Sequence, residues 1–166
     1  MEVRVHNVDK VVKQLERYKK NLQDRQKLLI EKLAELGVKV ADSGFARVSV
    51  DGKKDIQPGQ VLWGKDDSTA YVVVTGETVL IVEFGAGITM GYGHPLAQEM
   101  GYGPGSWSDD PALNGKGLWD RPGGWKYPGS GKNRSLGNEP AKAMFEASQR
   151  MRSEVSKVAR EVFGNG

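Results

Sequence analysis

Residues 8 to 42 carry one uninterrupted helical pattern, and a helix that long outruns the core of a small domain. Apolar side chains recur at Val8, Val11, Leu15, Tyr18, Leu22, Leu29, Leu33, Leu36 and Val40. Steps of mostly three and four stack them on one helical face. Lys10, Lys13, Glu16, Arg17, Lys19, Lys20, Asp24, Arg25, Lys27 and Glu31 fill the space between, as a solvated face does. Asn7 has the chemistry of an N-cap, Gly44 that of a stop, and no proline intervenes. At 1.5 Å per residue the helix is roughly 50 Å long. Part of its stripe is expected on a sheet and part against another subunit.

The period changes after Gly44. "ARVSV" alternates Ala46, Val48 and Val50, and "QVLW" is a second short candidate strand. In "TAYVVVTGETVLIVEF" two β-branched runs flank Gly76-Glu77, where glycine suits a type II′ turn, so a hairpin is expected. Residues 45–84 are thus expected as a small antiparallel sheet of three or four strands. Helical spacing returns over 139–163, with Met144, Ala147, Met151, Val155, Val158 and Val162 on one face. Asn138 or Glu139 before Pro140 is a helix start, and Gly164 a stop. The fold class is α+β: a single domain in which both helices pack on a small antiparallel sheet.

The stretch 85–138 fits neither period. It is crowded with glycine and proline yet carries Tyr92, Tyr102, Trp107, Trp119, Trp125 and Tyr127. Disordered linkers usually lack such rings, whereas Trp and Tyr are favoured where proteins meet. With 38% hydrophobic residues in 166, the chain is poorly supplied for a large core of its own. A subunit interface is therefore expected at Phe84, Tyr92, Tyr102, Trp107, Trp119, Trp125 and Tyr127.

Several chemistries fail at named positions. There is no cysteine, which removes disulfides, thiolate metal sites and a cysteine nucleophile. "PGSGKN" at 128–133 resembles the end of a phosphate loop, but Lys126 stands at the first glycine position and Asn133 replaces the Ser or Thr. "GAGITM" has Met90 where a dinucleotide loop has its third glycine. His6, His94, Glu99 and Asp109-Asp110 form no recognised ligand spacing. No serine lies in a G-x-S-x-G frame. Glu83, read as strand, shares a face with Val79 and Ile81; a hydrolase built on Glu83, His94 and Asp109 stays as the enzymatic alternative. Neither catalytic, cofactor nor metal residues are assigned. The net charge of +3 comes from bases interleaved with acids, not from a basic cluster. Lys116, Arg121, Lys126, Lys132 and Arg134 do alternate with aromatics, which keeps a DNA-contacting module open. No segment has the apolar length of a membrane span or a leader peptide, and a soluble chain is expected.

"VEFGAGI", "GHPLA", "GGWKYP" and "GNEPAKAMFEAS", in that order, resemble the neck or tail-completion proteins of long-tailed phages. These are head–tail joining or minor tail proteins, and the wording is that of versions from phages of Gram-positive bacteria. Met144-Phe145 departs slightly from the usual start of the last helix. The resemblance implies a structural virion protein without catalysis or cofactor. It would assemble as a ring, commonly six-fold, between head-closure or connector proteins and tail-tube or tail-terminator proteins. The phage genome would pass through its channel, and the protein would sit in host cytoplasm until assembly.

Overall fold

The computed structural model describes residues 8–48, 55–87, 89–102, 125–126, 134–135 and 137–164. Trp107, Trp119 and Tyr127 lie outside these residues. The element order is α1 (Val8–Arg47), β1 (Gln60–Trp63), β2 (Ala70–Val73), α2 (Val79–Phe84), β3 (Ala86–Gly87), β4 (Trp125–Lys126), β5 (Arg134–Ser135), β6 (Gly137–Asn138) and α3 (Ala143–Phe163). The α+β class holds, with two long helices and short antiparallel pairs. The described strands do not merge into one sheet of three or four: β1 pairs with β2, β3 with β6, and β4 with β5.

The first helix runs past its expected stop. Gly44 is buried inside the last turns of α1, not beyond them. A Cβ there would lie 2.6 Å from Ala143 Cβ and 2.9 Å from Ala143 Cα. Glycine is present so that two helices can approach, and the helix continues to Arg47. Ala46 is accordingly helical, and the strand expected from "ARVSV" does not begin there. The buried residues of α1 are Ala34, Gly37, Ala41, Gly44 and Phe45. Apart from Phe45 these are small, so the contact face is a shallow groove set beside the stripe of large apolar residues.

Helix α3 lies in that groove, antiparallel to α1. Arg47 meets Glu146 at 3.4 Å near one end. Toward the other, Lys32 meets Glu161 at 3.7 Å and Arg25 Nη1 donates to the Phe163 carbonyl at 3.2 Å. That last bond sets a cation on the open carbonyls of the α3 C-terminus, where the helix dipole favours it. Ala41, Phe45, Val82, Ala143 and Ala147 form the centre of the core, with Val40, Ile56, Val74, Val79 and Met144 packed around it. The β1–β2 pair covers a neighbouring part of α1. Gln60 pairs with Val73 and Trp63 with Ala70. The Asp42 carboxylate accepts the Gly59 N–H at 2.7 Å and fixes the entry to β1.

The expected hairpin at Gly76-Glu77 is not formed. Its second half, "VLIVEF", is the helix α2. Strand propensity is overridden by tertiary context. The preceding chain folds back so that Gln57 N–H donates to Thr75 O at 2.8 Å, and Gly76 takes φ 148° against the backbone of Asp55 and Ile56. The Asp55 carboxylate then accepts the N–H groups of Glu77 and Thr78 and the Thr78 hydroxyl. Those bonds satisfy donors that a strand would have offered to a neighbour. α3 also starts later than Pro140 suggests. Ala141 N–H donates to Val82 O and Lys142 N–H to Glu83 O, so both residues serve α2 before the helix opens at Ala143.

Overpacking decides the response to filling the α1 groove. Gly44→Ala gains up to ~1 kcal/mol of helix propensity, but its methyl meets Ala143 backbone; overpacking costs about 1–3 kcal/mol, so a net loss is expected. Gly37→Ala meets chiefly the Met151 thioether, which can turn aside, and should cost less. Urea denaturation of the two variants, compared at equal slope, checks the order.

Candidate functional site

Two of the residues that suggested chemistry, Glu83 and His94, come together where α2, the 89–102 segment and the start of α3 meet. Glu83 is the penultimate residue of α2 and is buried at 4% exposure. In a helix it does not share a face with Val79 and Ile81 in the strand sense, and its side chain turns inward. Oε2 accepts the Met144 N–H at 2.9 Å, and Oε1 accepts the Phe145 N–H at 3.0 Å. These are two of the orphan donors in the first turn of α3. The N-cap residue itself, Lys142, lies in the left-handed region at φ 55° and makes no side-chain cap bond. A carboxylate from another element therefore does the work that Ser, Asp or Asn usually does locally, and its charge faces the positive end of the helix dipole.

His94 completes the arrangement. Its Nε2 lies 3.2 Å from Glu83 Oε1, and its ring is 1% exposed. Leu96 N–H donates to Nδ1 at 3.2 Å. A nitrogen that accepts carries no proton, so the proton is on Nε2 and donates to Glu83. The sequence "GHPLA" thus works as a bend, as its proline suggests, and its histidine is an anchor as well. Phe84 stacks on Tyr102 with centroids 4.3 Å apart and 13° between planes, and it also touches the His94 ring at 4.3 Å. Phe145 approaches His94 edge-on at 5.8 Å.

Three donors fill the Glu83 carboxylate, and the apolar rings of Phe84 and Phe145 pack against its histidine partner. A general base needs a lone pair facing substrate; this one faces a helix end. Asp109, the third member of the hydrolase alternative, lies outside the described residues. Among the described residues, no three of His, Asp and Glu gather as a metal site.

Gly85 and Gly137 are committed to close packing in the same way. Gly85, at φ 78°, passes so close to the next strand that a Cβ would lie 2.6 Å from Asn138 O and 2.8 Å from the Pro140 ring. At Gly137, φ 100°, a Cβ would fall 1.9 Å from Ala86 O. These two glycines make the β3–β6 pair possible. Thr89 Oγ1 and Asn138 Nδ2 tie it further, donating to Asn138 O at 2.9 Å and Ile81 O at 3.2 Å. The N–H groups of Met90, Tyr92 and His94 donate to the carbonyls of Gly87, Thr89 and Gly91, and that of Gly91 to Phe84 O at the end of α2. Amides so used are not a cradle for phosphate.

Of the residues expected at an interface, Phe84 is 3% exposed and is spent on internal packing. Tyr102 is half-buried on Phe84. Tyr92 is 78% exposed, and Leu96 and Met100 of the same segment are exposed as well. Trp125 pairs with Ser135 in β4–β5. Lys142 and Asp55 had no signal in the sequence, because one acts through a backbone angle and the other on residues distant along the chain; Asn138, expected as a helix start, instead ties β6 to Ile81 O. No described helix is long and apolar enough to cross a membrane.

Glu83→Ala leaves two helix N–H groups and the His94 proton without partners in a buried site, so a loss of about 3–5 kcal/mol is expected, with Glu83→Gln intermediate. Chemical denaturation followed at the α3 helix signal measures it. The Thr78 hydroxyl holds the Asp55 carboxyl below the usual carboxylate range, helped by the Glu77 and Thr78 N–H groups against a smaller opposing effect of burial. A depressed folded value means that its stabilisation is present above the unfolded value near pH ~3.9 and is lost as pH falls through the folded value. Asp55→Asn should therefore lower stability at neutral pH and flatten its decline below about pH 4. Thermal unfolding across pH 2–7 tests the sign. Comparison with protein-family models, with curated proteins and with solved structures gave no match.

Proposed function

We propose that this chain is a structural virion protein of a long-tailed phage, closing into a ring at the head–tail junction or the top of the tail and joining heads to tails. The observation that carries this reading is the use made of Glu83 and His94. The acid–histidine pair serves as a clamp, and the segment it clamps turns Tyr92, Leu96 and Met100 outward. The motifs behind the phage resemblance support the same reading. "VEFGAGI", "GHPLA" and "GNEPAKAM" are far apart in sequence yet meet in one cluster, through Gly85 on Pro140, His94 on Glu83 and Glu83 on Met144.

A ring is built from head-to-tail contacts that close, so each copy needs two different surfaces. A firm platform with an exposed aromatic suits one of them, because tyrosine carries much contact area on few rotatable bonds. Head-closure or connector proteins on one side and tail-tube or tail-terminator proteins on the other are the partners of this reading.

Tyr92→Arg in a phage carrying this chain tests it. Tyr92 is exposed, so thermal unfolding should not move. Infectious titre should fall more than about tenfold, with filled heads and tails seen apart by electron microscopy. Normal titre with joined particles would overturn the assignment of this surface to assembly.

A further inference from the structure

We propose that residues 8–24 of α1 pair, antiparallel, with the same residues of a second copy of this chain. α3 ends at Phe163, beside Arg25. Beyond that point α1 continues for about 25 Å, and among the described residues no other element packs along it. The apolar stripe does not stop where α3 stops. Val8, Val11, Leu15, Tyr18 and Leu22 follow at steps of three, four, three and four, all exposed, with Leu15 at 61% and Tyr18 at 68%. That is the alternation of a two-helix seam. An isolated helix of this length is marginal in water and is normally stabilised by packing its apolar face.

Three observations identify the occupant as a second copy. The first is continuity: α3 seats on the small residues beside the stripe, and where it ends a groove of about 540 Å³ opens onto the stripe itself, lined by Tyr18, Leu22, Arg25 and Phe163. A helix entering along the line of α3 would place its tip there. The second is area. Covering the stripe on both arms removes roughly 1,000 Å² in total, the lower bound for a biological interface and in keeping with a dimer of moderate affinity. The third is charge. The positions flanking the seam are Val12, Gln14, Lys19 and Asn21, with a single charge among them. They offer no pattern to an oppositely charged partner and no repulsion to a copy of themselves.

The geometry selects the direction. In a parallel pair the Arg25 side chains would meet at the next seam position, and both globular bodies would crowd one end. Antiparallel, Leu15 lies opposite the partner's Tyr18 and Val11 opposite the partner's Leu22. Each Val8 then reaches the other copy's groove, and the bodies sit at opposite ends. This contact is self-complementary, unlike the head-to-tail contacts of a ring, so it stands apart from the functional reading above.

The experiment is sedimentation of the full chain between about 1 and 200 µM, a range that reports dimers of moderate affinity. A dimer is expected. Leu15→Glu with Tyr18→Glu should weaken it more than roughly tenfold while helix content and unfolding midpoint stay, because both positions are exposed. The chain has no cysteine, so Leu15→Cys with Tyr18→Cys gives a second reading that keeps the seam neutral. On oxidation it should link position 15 of one copy to position 18 of its partner. A monomer throughout the range, a dimer unmoved by the two glutamates, or links joining only like positions would overturn the proposal. So would an arm whose amides become protected only when another virion protein is added. A chain that pairs through its arms but never closes a ring keeps this inference and counts against the ring alone.

Discussion

The Glu83 carboxylate is the contact on which the rest of the structure depends. It binds the opening N–H groups of α3 and the imidazole of His94 at once. One side chain thereby fixes where the second long helix begins, how α2 is seated and how the glycine-rich segment folds back on both. Burial makes the arrangement consequential: the same groups in water would exchange partners at little cost, whereas in this pocket each unpaired donor would be a penalty. The surrounding rings of Phe84, Tyr102 and Phe145 keep water out.

Asp55 repeats the device at smaller scale, on α2. Each of the two helices after α1 begins at a residue with no cap bond of its own, and each receives a carboxylate from elsewhere. At the far end of α3 a third remote side chain, Arg25, meets the terminal carbonyls. The helix ends are thus matched by charges of the appropriate sign from distant parts of the chain.

What the sequence made legible follows from this. The two long helices were readable because their large apolar residues recur at helical spacing over many turns. The seat of α3 on α1 was not, because it is made of Ala34, Gly37, Ala41 and Gly44, and small residues carry little periodic signal. Gly44 looked like a stop for the same reason; a glycine that ends a helix and one that admits a neighbour read alike. The β-branched run before Phe84 looked like the second arm of a hairpin, and the contacts that accompany its helix, from Asp55 at one end and from Ala141 and Lys142 at the other, are invisible in a local window. Within the cluster, His94-Pro95 as a bend was legible from the proline. Glu83 as a cap was not, since its partners lie beyond the long glycine-rich stretch.

The remote caps also bear on the order in which the molecule can form. The contacts that define the start and finish of α3 span 61 and 138 residues of chain. A segment whose two ends are secured only by such distant partners gains little from folding by itself, and closing loops of that length precedes the reward. α1, with its unbroken pattern, is the part able to persist early, while α3, α2 and the glycine-rich segment must arrive together. The stability of α3 is therefore realised only when these distant partners are in place together, the carboxylate of Glu83 among them.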